Sequence, residues 1–363
     1  MIDKILLFPY WLALKARHFM YDHGLKKVHK PDVPTICVGN ITVGGTGKTP
    51  HTEMLIRTLL GDDYWGSKNL AVLSRGYKRK TKGFQQVTMN GTARLFGDEP
   101  LQIKKKFPGI TVAVDGSRKE GCTFLTEPQL LHSSKKARRC LDKDVPASDL
   151  IILDDAFQHR AVKPKVSIVL VDYNRPIFKD HLMPIGRLRD LPERISAADI
   201  VIVTKCPNYL DEWERSKWAE ALGITPKQSI FFTTIAYDTP EAVFEEGDAH
   251  YLYAHRLILF SGIANDRPLM NYLSSDYKIV RHFKFPDHHR FSRADIRKME
   301  SASKAFPTSV LMTTEKDCQR LRDCKKVPDN LKKKLFYTPI KVTFLTDDER
   351  MKFISVLQQK LHE

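Results

Sequence analysis

The sequence lacks the features that mark several protein classes. Its six cysteines are scattered and contain no C-x-x-C pair, so it indicates neither a disulfide framework nor a structural zinc site. No stretch approaches the ~20 uncharged apolar residues that a membrane-spanning helix needs. Repeats and low-complexity segments are also missing, and 42% of the 363 residues are hydrophobic. We therefore predict a folded enzyme or binding protein with cytosolic exposure, long enough for two modest domains.

Acidic residues are scarce relative to basic ones. Lys and Arg number 59 against 43 Asp and Glu, which gives a formal charge of +16. Such an excess predicts an anionic partner, which could be nucleic acid, an acidic membrane surface or a phosphorylated ligand. Charge alone does not choose among the three.

The N-terminal segment combines apolar, aromatic and basic residues. Residues 5–14 form an apolar run that is too short to span a membrane and has basic residues on both sides. Phe8, Tyr10 and Trp11 supply rings of the kind that settle at the level of lipid headgroups. The segment has no cleavage pattern typical of a signal peptide. It predicts either an amphipathic helix over residues 1–22 that lies on a membrane or a helix packed on the domain.

Short, unalternating runs of Val, Ile and Leu predict strands that are buried on both faces. Longer polar or helical stretches separate them, which predicts an α/β fold with a doubly wound, mostly parallel sheet. A second series of runs starts at Arg256 and predicts a smaller α/β domain. We expect the domains to cover residues 23–236 and 237–363. The runs of the first domain lie at residues 35–43, 70–75, 110–115, 149–155, 167–172 and 199–205.

The strongest chemical signal lies between the first predicted strand and the helix that follows it. The sequence VGGTGKT at residues 43–49 is a variant phosphate-binding P-loop, with Thr42 in place of the first glycine of the strict pattern. Its glycines let backbone N–H groups surround phosphate oxygens. Lys48 is expected to reach the β- and γ-phosphates, and the Thr49 hydroxyl to bind Mg²⁺. The predicted nucleotide-binding residues are Gly44, Gly45, Thr46, Gly47, Lys48 and Thr49.

A P-loop needs a second acid for the metal at the end of a buried strand. Asp154 and Asp155 follow such a strand, although strand-end carboxylates also cap turns. The clusters at residues 97–100 (GDEP), 115–118 (DGSR) and 285–291 (FPDHHRF) combine acids or histidines with basic residues or a turn. Each cluster alone is more typical of a helix start, a turn or a solvated loop than of a functional site.

Together, these blocks resemble the tetraacyldisaccharide 4'-kinase family of lipid A synthesis. They occur in one order across nearly the whole chain, which makes the resemblance specific. The blocks are GNITVGGTGKTP (39–50), SRGY (74–77), GDEP (97–100), DGSR (115–118), LDDAFQH (153–159), MPIGRLRD (183–190), FSGIA (260–264), FPDHHRF (285–291) and TTEKD (313–317).

The resemblance implies a kinase that uses ATP and Mg²⁺. Its implied acceptor is the 4'-hydroxyl of a tetraacylated glucosamine disaccharide 1-phosphate, a phosphorylated glycolipid. The implied location is peripheral, at the cytoplasmic face of the inner membrane of a Gram-negative-type cell. A basic chain with an interfacial N-terminal helix agrees with such a substrate.

The family also implies roles for individual residues. Its general base is the Asp of GDEP, paired with the histidine of the DH motif, and Asp98 and His288 occupy these positions. A hydroxyl that attacks phosphorus must lose its proton, which a carboxylate oriented by a histidine can accept. His289 remains an alternative partner for the base. Further implied residues are Thr49, Glu99 and Asp154 for Mg²⁺, Arg118 and Arg189 for the reaction centre, and Arg75, Asp155 and His159 for substrate or phosphate.

The chain departs from the family pattern at two further positions. Ala156 replaces a glycine, which matters only if its backbone needs a positive φ, and Asp190 replaces a glutamate and has a shorter reach.

Two other functions are less favoured by the sequence. A P-loop partitioning ATPase is the alternative function, but such proteins usually carry a lysine where this chain has Val43. Nucleic acid is not an expected partner, because the chain has no helix-turn-helix, zinc-finger or RNP pattern.

Overall fold

The computed structural model describes residues 2–263, 265–287, 289–324 and 327–363, with side chains from residue 7 onwards. The chain divides into two compact units. Residues 90–102 and 342–363 belong to different units from those expected from their position in the chain, because packing and not sequence order groups them. The first unit comprises Met1–Met89, Ile103–Ile235 and Val342–Glu363, and the second comprises Asn90–Gln102 and Ala236–Lys341.

Strands and helices alternate along most of the chain. The strands are β1 Thr35–Asn40, β2 Leu70–Ser74, β3 Gln85–Gln86, β4 Thr111–Val114, β5 Leu150–Asp154, β6 Val166–Asp172, β7 Ile200–Thr204, β8 Ser229–Tyr237, β9 Glu241–Ala242, β10 Arg256–Ser261, β11 Lys278–Lys284, β12 Val310–Thr314, β13 Leu335–Thr338 and β14 Ile340–Phe344. The α-helices are α1 Ile2–Asp22, α2 Lys48–Leu60, α3 Ala93–Phe96, α4 Asp98–Lys106, α5 Arg118–Thr126, α6 Leu130–Ser133, α7 Glu212–Leu222, α8 Arg267–Leu273, α9 Arg293–Ala305, α10 Glu315–Arg322, α11 Asp329–Lys332 and α12 Asp347–His362.

The first unit is built on a nine-stranded sheet in the order β14-β8-β7-β6-β1-β5-β2-β4-β3. Strand β1 pairs in parallel with both β5 and β6, and β2, β4, β7 and β8 continue the parallel pairing. All residues of β1, β5 and β6 are buried, as their continuous apolar runs predict. The predicted α/β fold with a mostly parallel sheet is confirmed. The carboxyl ends of β1, β5, β6 and β7 lie at one edge, where ligands bind in open α/β sheets.

The second unit has its own five-stranded sheet in the order β11-β10-β12-β13-β9. Strands β10 to β13 are parallel, and only the short β9 runs antiparallel to its neighbour. Helices α9 and α10 bury Met299, Cys318 and Leu321 in a core with Phe260 and Leu311 of the sheet. This smaller α/β unit holds the segments GDEP and TTEKD.

The N-terminal helix α1 has one face on the first unit and another face in solvent. Leu14 and His18 are 5% and 6% exposed, whereas Phe8, Trp11 and Phe19 are 56%, 38% and 54% exposed. Among the residues that the structure describes, no helix is both long enough and apolar enough to cross a membrane.

Candidate active site

The P-loop connects β1 to α2 at the carboxyl edge of the large sheet. Gly44 and Gly47 have φ angles of 108° and 88°, which only glycine adopts without strain. Gly47 is also the N-cap residue of α2, so the helix begins at Lys48. Thr42 is not among the described residues with positive φ, so the side chain at this variant position causes no backbone strain.

The end of β7 is bonded to two carbonyl groups of this loop. The Thr204 hydroxyl at the end of β7 donates to the carbonyl oxygen of Thr46 at 3.0 Å. Lys205, the next residue, donates from Nζ to the carbonyl oxygen of Gly45 and to Asp172 Oδ2, the latter at 2.5 Å. These hydrogen bonds fix two backbone carbonyl groups of the loop and therefore restrain the loop in a conformation that can bind an anion.

A third carbonyl group of the loop is held by a histidine. His51 Nδ1 lies 2.7 Å from the carbonyl oxygen of Gly47, and Nε2 lies 2.9 Å from the Thr233 hydroxyl. Burial lowers the pKa of His51 to about 4, so the ring is neutral at pH 7. Since a carbonyl oxygen only accepts, Nδ1 carries the proton and Nε2 accepts from Thr233.

The P-loop lysine belongs to a cluster of charged and polar side chains. Lys48 Nζ lies 3.4 Å from Asn40 Oδ1 and 3.7 Å from Asp155 Oδ1. Arg189 donates from Nη2 to Asn40 Oδ1 at 2.7 Å and forms a two-point ion pair with Asp155. Two cations and one carboxylate leave an excess of positive charge, which suits the phosphates of a nucleotide.

Asp155 is the negative member of this cluster. Burial raises its pKa, but the charges of Lys48 and Arg189 more than offset this, so the pKa is held below its usual range. Its φ is 48°, in the left-handed region. Ala156, where the family has glycine, is not among the described residues with positive φ. The glycine-to-alanine departure is therefore accommodated, because the strained position is one residue earlier.

Asp154 lies deeper, at the end of β5, and is 2% exposed. The hydroxyls of Ser74 and Thr52 lie 3.1 and 3.4 Å from its two carboxylate oxygens. Thr49 precedes Thr52 by three residues on α2, so both lie on one face of the helix. A hydroxyl and a carboxylate are hard oxygen donors of the kind that Mg²⁺ prefers.

The described residues contain no group of three or more His, Cys, Asp or Glu side chains that could hold a metal. Mg²⁺ is usually held by one or two carboxylates together with substrate phosphates and water. Thr49 and Asp154 lie in the first unit and Glu99 in the second.

Arg118 does not face solvent. It is 3% exposed, and it donates from Nη1 to the carbonyl oxygen of Asp115 at 3.1 Å and from Nη2 to that of Asp154 at 2.5 Å. Burial lowers its pKa. The guanidinium therefore stabilises the backbone at the end of β5 through its hydrogen bond to the carbonyl oxygen of Asp154.

His159 and Arg75 complete the predicted residues of the first unit. Burial, followed by the charges of Arg118 and Arg75, lowers the pKa of His159 to about 4. At neutral pH its ring can donate and accept hydrogen bonds but carries no charge. Arg75 directly follows β2 and is exposed.

Asp98 and Glu99 lie in the second unit, in the first turn of α4. Asp98 Oδ2 accepts a hydrogen bond from Arg320 Nε at 2.7 Å. Glu99 Oε1 accepts one from Lys316 Nζ at 2.5 Å. The preceding Gly97 has a φ of 96°, which allows the chain to turn abruptly into the helix.

The histidine pair divides between described and undescribed residues. His288 lies outside the part of the chain that the structure describes. His289 Nε2 lies 3.0 Å from Asp295 Oδ2, a carboxylate that also caps α9. The His289 ring stacks on Phe285 with centroids 4.5 Å apart, and its edge packs against Phe291. His289 is thus held by its own loop.

The sequence patterns named Lys48, Asp155 and Arg189 separately, and the structure places their side chains in one cluster. The patterns missed several residues that bond to the predicted site residues. Asn40 lies inside the block GNITVGGTGKTP, but the prediction considered only the glycines, threonines and lysine of that block. Lys205 is a polar residue directly after a buried strand, and that position is the signal that could have identified it. The missed residues are Asn40, Lys205, Lys316 and Arg320.

The large parallel sheet, the P-loop between β1 and α2 and the acid that ends β5 define a P-loop nucleotide-binding α/β protein. The family model for tetraacyldisaccharide-1-P 4'-kinase matches residues 4–362. The chain belongs to this family, as its sequence motifs predicted. Membership does not favour the partitioning ATPase.

Individual relatives agree with this assignment. The tetraacyldisaccharide 4'-kinase of Phocaeicola vulgatus is 40% identical over 348 residues, covering 94% of this chain and 90% of that protein. The protein of the same name in Flavobacterium johnsoniae is 38% identical over 358 residues, covering 97% and 96%. A crystal structure of LpxK from Aquifex aeolicus in complex with ATP superposes with a TM-score of 0.71 at 25% identity, over 99% of this chain and 100% of that one.

Proposed function

We propose that the chain transfers the γ-phosphate of ATP to the 4'-hydroxyl of a tetraacylated glucosamine disaccharide 1-phosphate. The observation that carries this proposal is the family match over residues 4–362 in a chain that has a variant P-loop with its lysine and threonine, Lys48 and Thr49. The hydroxyl oxygen forms a bond to the γ-phosphorus, the bond from that phosphorus to the β–γ bridging oxygen breaks, and ADP leaves. The hydroxyl proton passes to a carboxylate of the protein.

In the first unit, the P-loop N–H groups and Lys48 bind the phosphates, and Arg189 adds a second positive charge. Asp155 holds both cations in place, and with His159 and Arg75 we assign it to substrate or phosphate contacts. Arg118 is assigned to support of the metal-binding strand end, since its guanidinium is bound to backbone carbonyl oxygens.

Thr49, Asp154 and Glu99 are the residues proposed to hold Mg²⁺. When bound, this ion neutralises charge on the β- and γ-phosphate oxygens. The burial of Asp154 between two hydroxyl groups supports its part in the site.

In the second unit, we assign the role of general base to Asp98 and that of its partner to His288. The contacts of His289 support this choice between the two histidines. Its Nε2 is bonded to Asp295, so it serves the loop and not the base.

The location of the protein is proposed from α1. Phe8, Trp11 and Phe19 expose their rings, and Lys15 lies on the same helix with Nζ 5.7 Å from the Trp11 ring. Apolar rings beside basic residues favour the headgroup region of an anionic membrane. We propose peripheral contact with the cytoplasmic face of the inner membrane of a Gram-negative-type cell.

The experiment that tests the proposed activity is a transfer assay. Purified protein is incubated with γ-labelled ATP, Mg²⁺ and the tetraacylated disaccharide 1-phosphate in detergent, and Lys48→Met is the matched inactive control. We expect label in the lipid with the unmodified protein only. ATP hydrolysis without labelled lipid would contradict the kinase proposal and favour the ATPase alternative.

A further inference from the structure

Arg320 joins three segments of the second unit. Its side chain is 4% exposed, and Nε donates to Asp98 Oδ2 at 2.7 Å. Nη1 donates to Asp317 Oδ1 at 2.8 Å and to the carbonyl oxygen of Gly262 at 3.1 Å. A buried guanidinium costs free energy unless its donors are satisfied, so these contacts define its position.

Asp317 is fixed independently of Arg320. It is 0% exposed, and its Oδ2 accepts from the backbone N–H of Gly262 at 2.8 Å and from the Thr314 hydroxyl at 2.7 Å. A Cβ atom at position 262 would lie only 2.9 Å from Asp317 Oδ1, so glycine is needed for the close approach. Gly262 and Asp317 are thus bonded to each other, and both accept hydrogen bonds from Arg320.

A second cation on the same helix holds the neighbouring acid. Lys316 precedes Arg320 by four residues on α10, so both side chains leave one face of the helix. Lys316 Nζ lies 2.5 Å from Glu99 Oε1. This contact is an ion pair between two partly buried side chains.

We propose that Arg320 is a positioning residue for Asp98, the proposed general base. Lys316 likewise positions Glu99, which is proposed to bind Mg²⁺. This inference rests on the proposed function of Asp98. The Nε–Oδ2 bond restrains the plane of the carboxylate, because Arg320 is itself held by Asp317 and Gly262. A base in fixed orientation accepts the hydroxyl proton more often, since misplacement of about 1 Å can cost ~10²-fold in rate.

Three variants on α10 test the proposal in the lipid-transfer assay. Arg320→Met is expected to lower kcat by ~10–100-fold with little change in the Kd for ATP, because the P-loop lies in the other unit. Arg320→Lys retains a cation and should recover part of kcat. The matched control is Arg322→Met, because Arg322 donates to the carbonyl oxygen of Val243 and not to Asp98. It should keep kcat within about twofold.

A double-mutant comparison separates positioning from general stability. Arg320→Met should cost less than about twofold when added to Asp98→Asn, because there is no longer a base to orient. An equal loss in both backgrounds, or near-normal kcat in Arg320→Met, would overturn the proposal. If Arg320→Met does not fold, the same comparison is made with Arg320→Lys.

The assay distinguishes this proposal from the proposed function itself. If the unmodified protein labels no lipid, the proposed activity is wrong. If the unmodified protein and Arg322→Met label lipid and Arg320→Met labels it equally well, only the positioning role is wrong.

Discussion

His18 of the N-terminal helix and Asp190 form a buried contact, with Nε2 2.6 Å from Oδ1. Asp190 directly follows Arg189, whose carbonyl oxygen also accepts a hydrogen bond from the Tyr10 hydroxyl at 2.9 Å. The guanidinium of Arg189 binds Asp155 in the P-loop cluster. The helix that we assign to the membrane surface is thus bonded to the segment that carries Arg189, the arginine that we propose to bind phosphate.

The first prediction concerns the stability of this contact. Asp190 is 1% exposed, and its Oδ1 contacts both His18 and the backbone N–H of Leu191, the latter at 2.9 Å. His18→Leu removes the side-chain partner, so we expect the free energy of unfolding to fall by about 1–3 kcal/mol, the cost of removing one hydrogen bond from a buried charged group. Urea denaturation measures it. His23→Leu, at the exposed position directly after the helix, is the control and should change stability by less than about 0.5 kcal/mol; equal effects would contradict the prediction.

The second prediction concerns membrane contact. Phe8→Ser combined with Trp11→Ser removes two exposed rings and leaves the His18 contact intact. We expect co-sedimentation with anionic phospholipid vesicles to weaken by about tenfold or more, since each buried ring contributes apolar transfer free energy. Trp213→Ser on α7, also an exposed ring, is the control. Unchanged vesicle binding in the double variant would point to another surface.

The third prediction concerns Lys205. Lys205→Met removes the bond to the Gly45 carbonyl oxygen and leaves Asp172 without this ion pair. We expect the Kd for ATP to rise by roughly 10–100-fold, which corresponds to the loss of one charged hydrogen bond. Titration calorimetry measures it. The control is Lys217→Met, whose side chain pairs with Glu220 on the surface. An unaltered Kd for ATP would show that the P-loop keeps its conformation without the Lys205 hydrogen bond, and it would contradict the prediction.

The fourth prediction is that the free energy of unfolding depends on pH through His159. The pKa of His159 falls from 6.5 to about 4 on folding. Between these values the unfolded chain binds a proton that the folded chain does not, so stability decreases as pH falls from 6.5 towards 4. Above pH 6.5 both states are neutral and the effect is absent. His159→Gln should make denaturation midpoints less sensitive to pH in this window. An NMR titration midpoint near 6.5 for His159 would refute the prediction.

The fifth prediction concerns the general base. Asp98→Ala should lower kcat by ~10²–10⁴-fold with little change in the Kd for ATP, because it removes a proton acceptor and not a phosphate contact. Steady-state kinetics and nucleotide titration measure the two quantities. A variant with near-normal kcat would reject Asp98 as the base.

Local patterns in the sequence determined the sheet class, the P-loop and the acid that ends β5. Each of these depends on neighbours in the chain: a buried strand needs consecutive apolar residues, and a phosphate loop needs glycines before a helix start. The same local logic anticipated the question of positive φ after β5. It did not show that Asp155, and not Ala156, has the left-handed backbone.

Only the tertiary structure decided which side chains hold the proposed catalytic groups. Asp98 and Arg320 are separated by 222 positions, and Gly45 and Lys205 by 160, so no local pattern joins them. Folding also determined that Arg118 is buried against carbonyl oxygens. Such contacts depend on how strands and helices pack, and packing depends on surfaces contributed by distant segments.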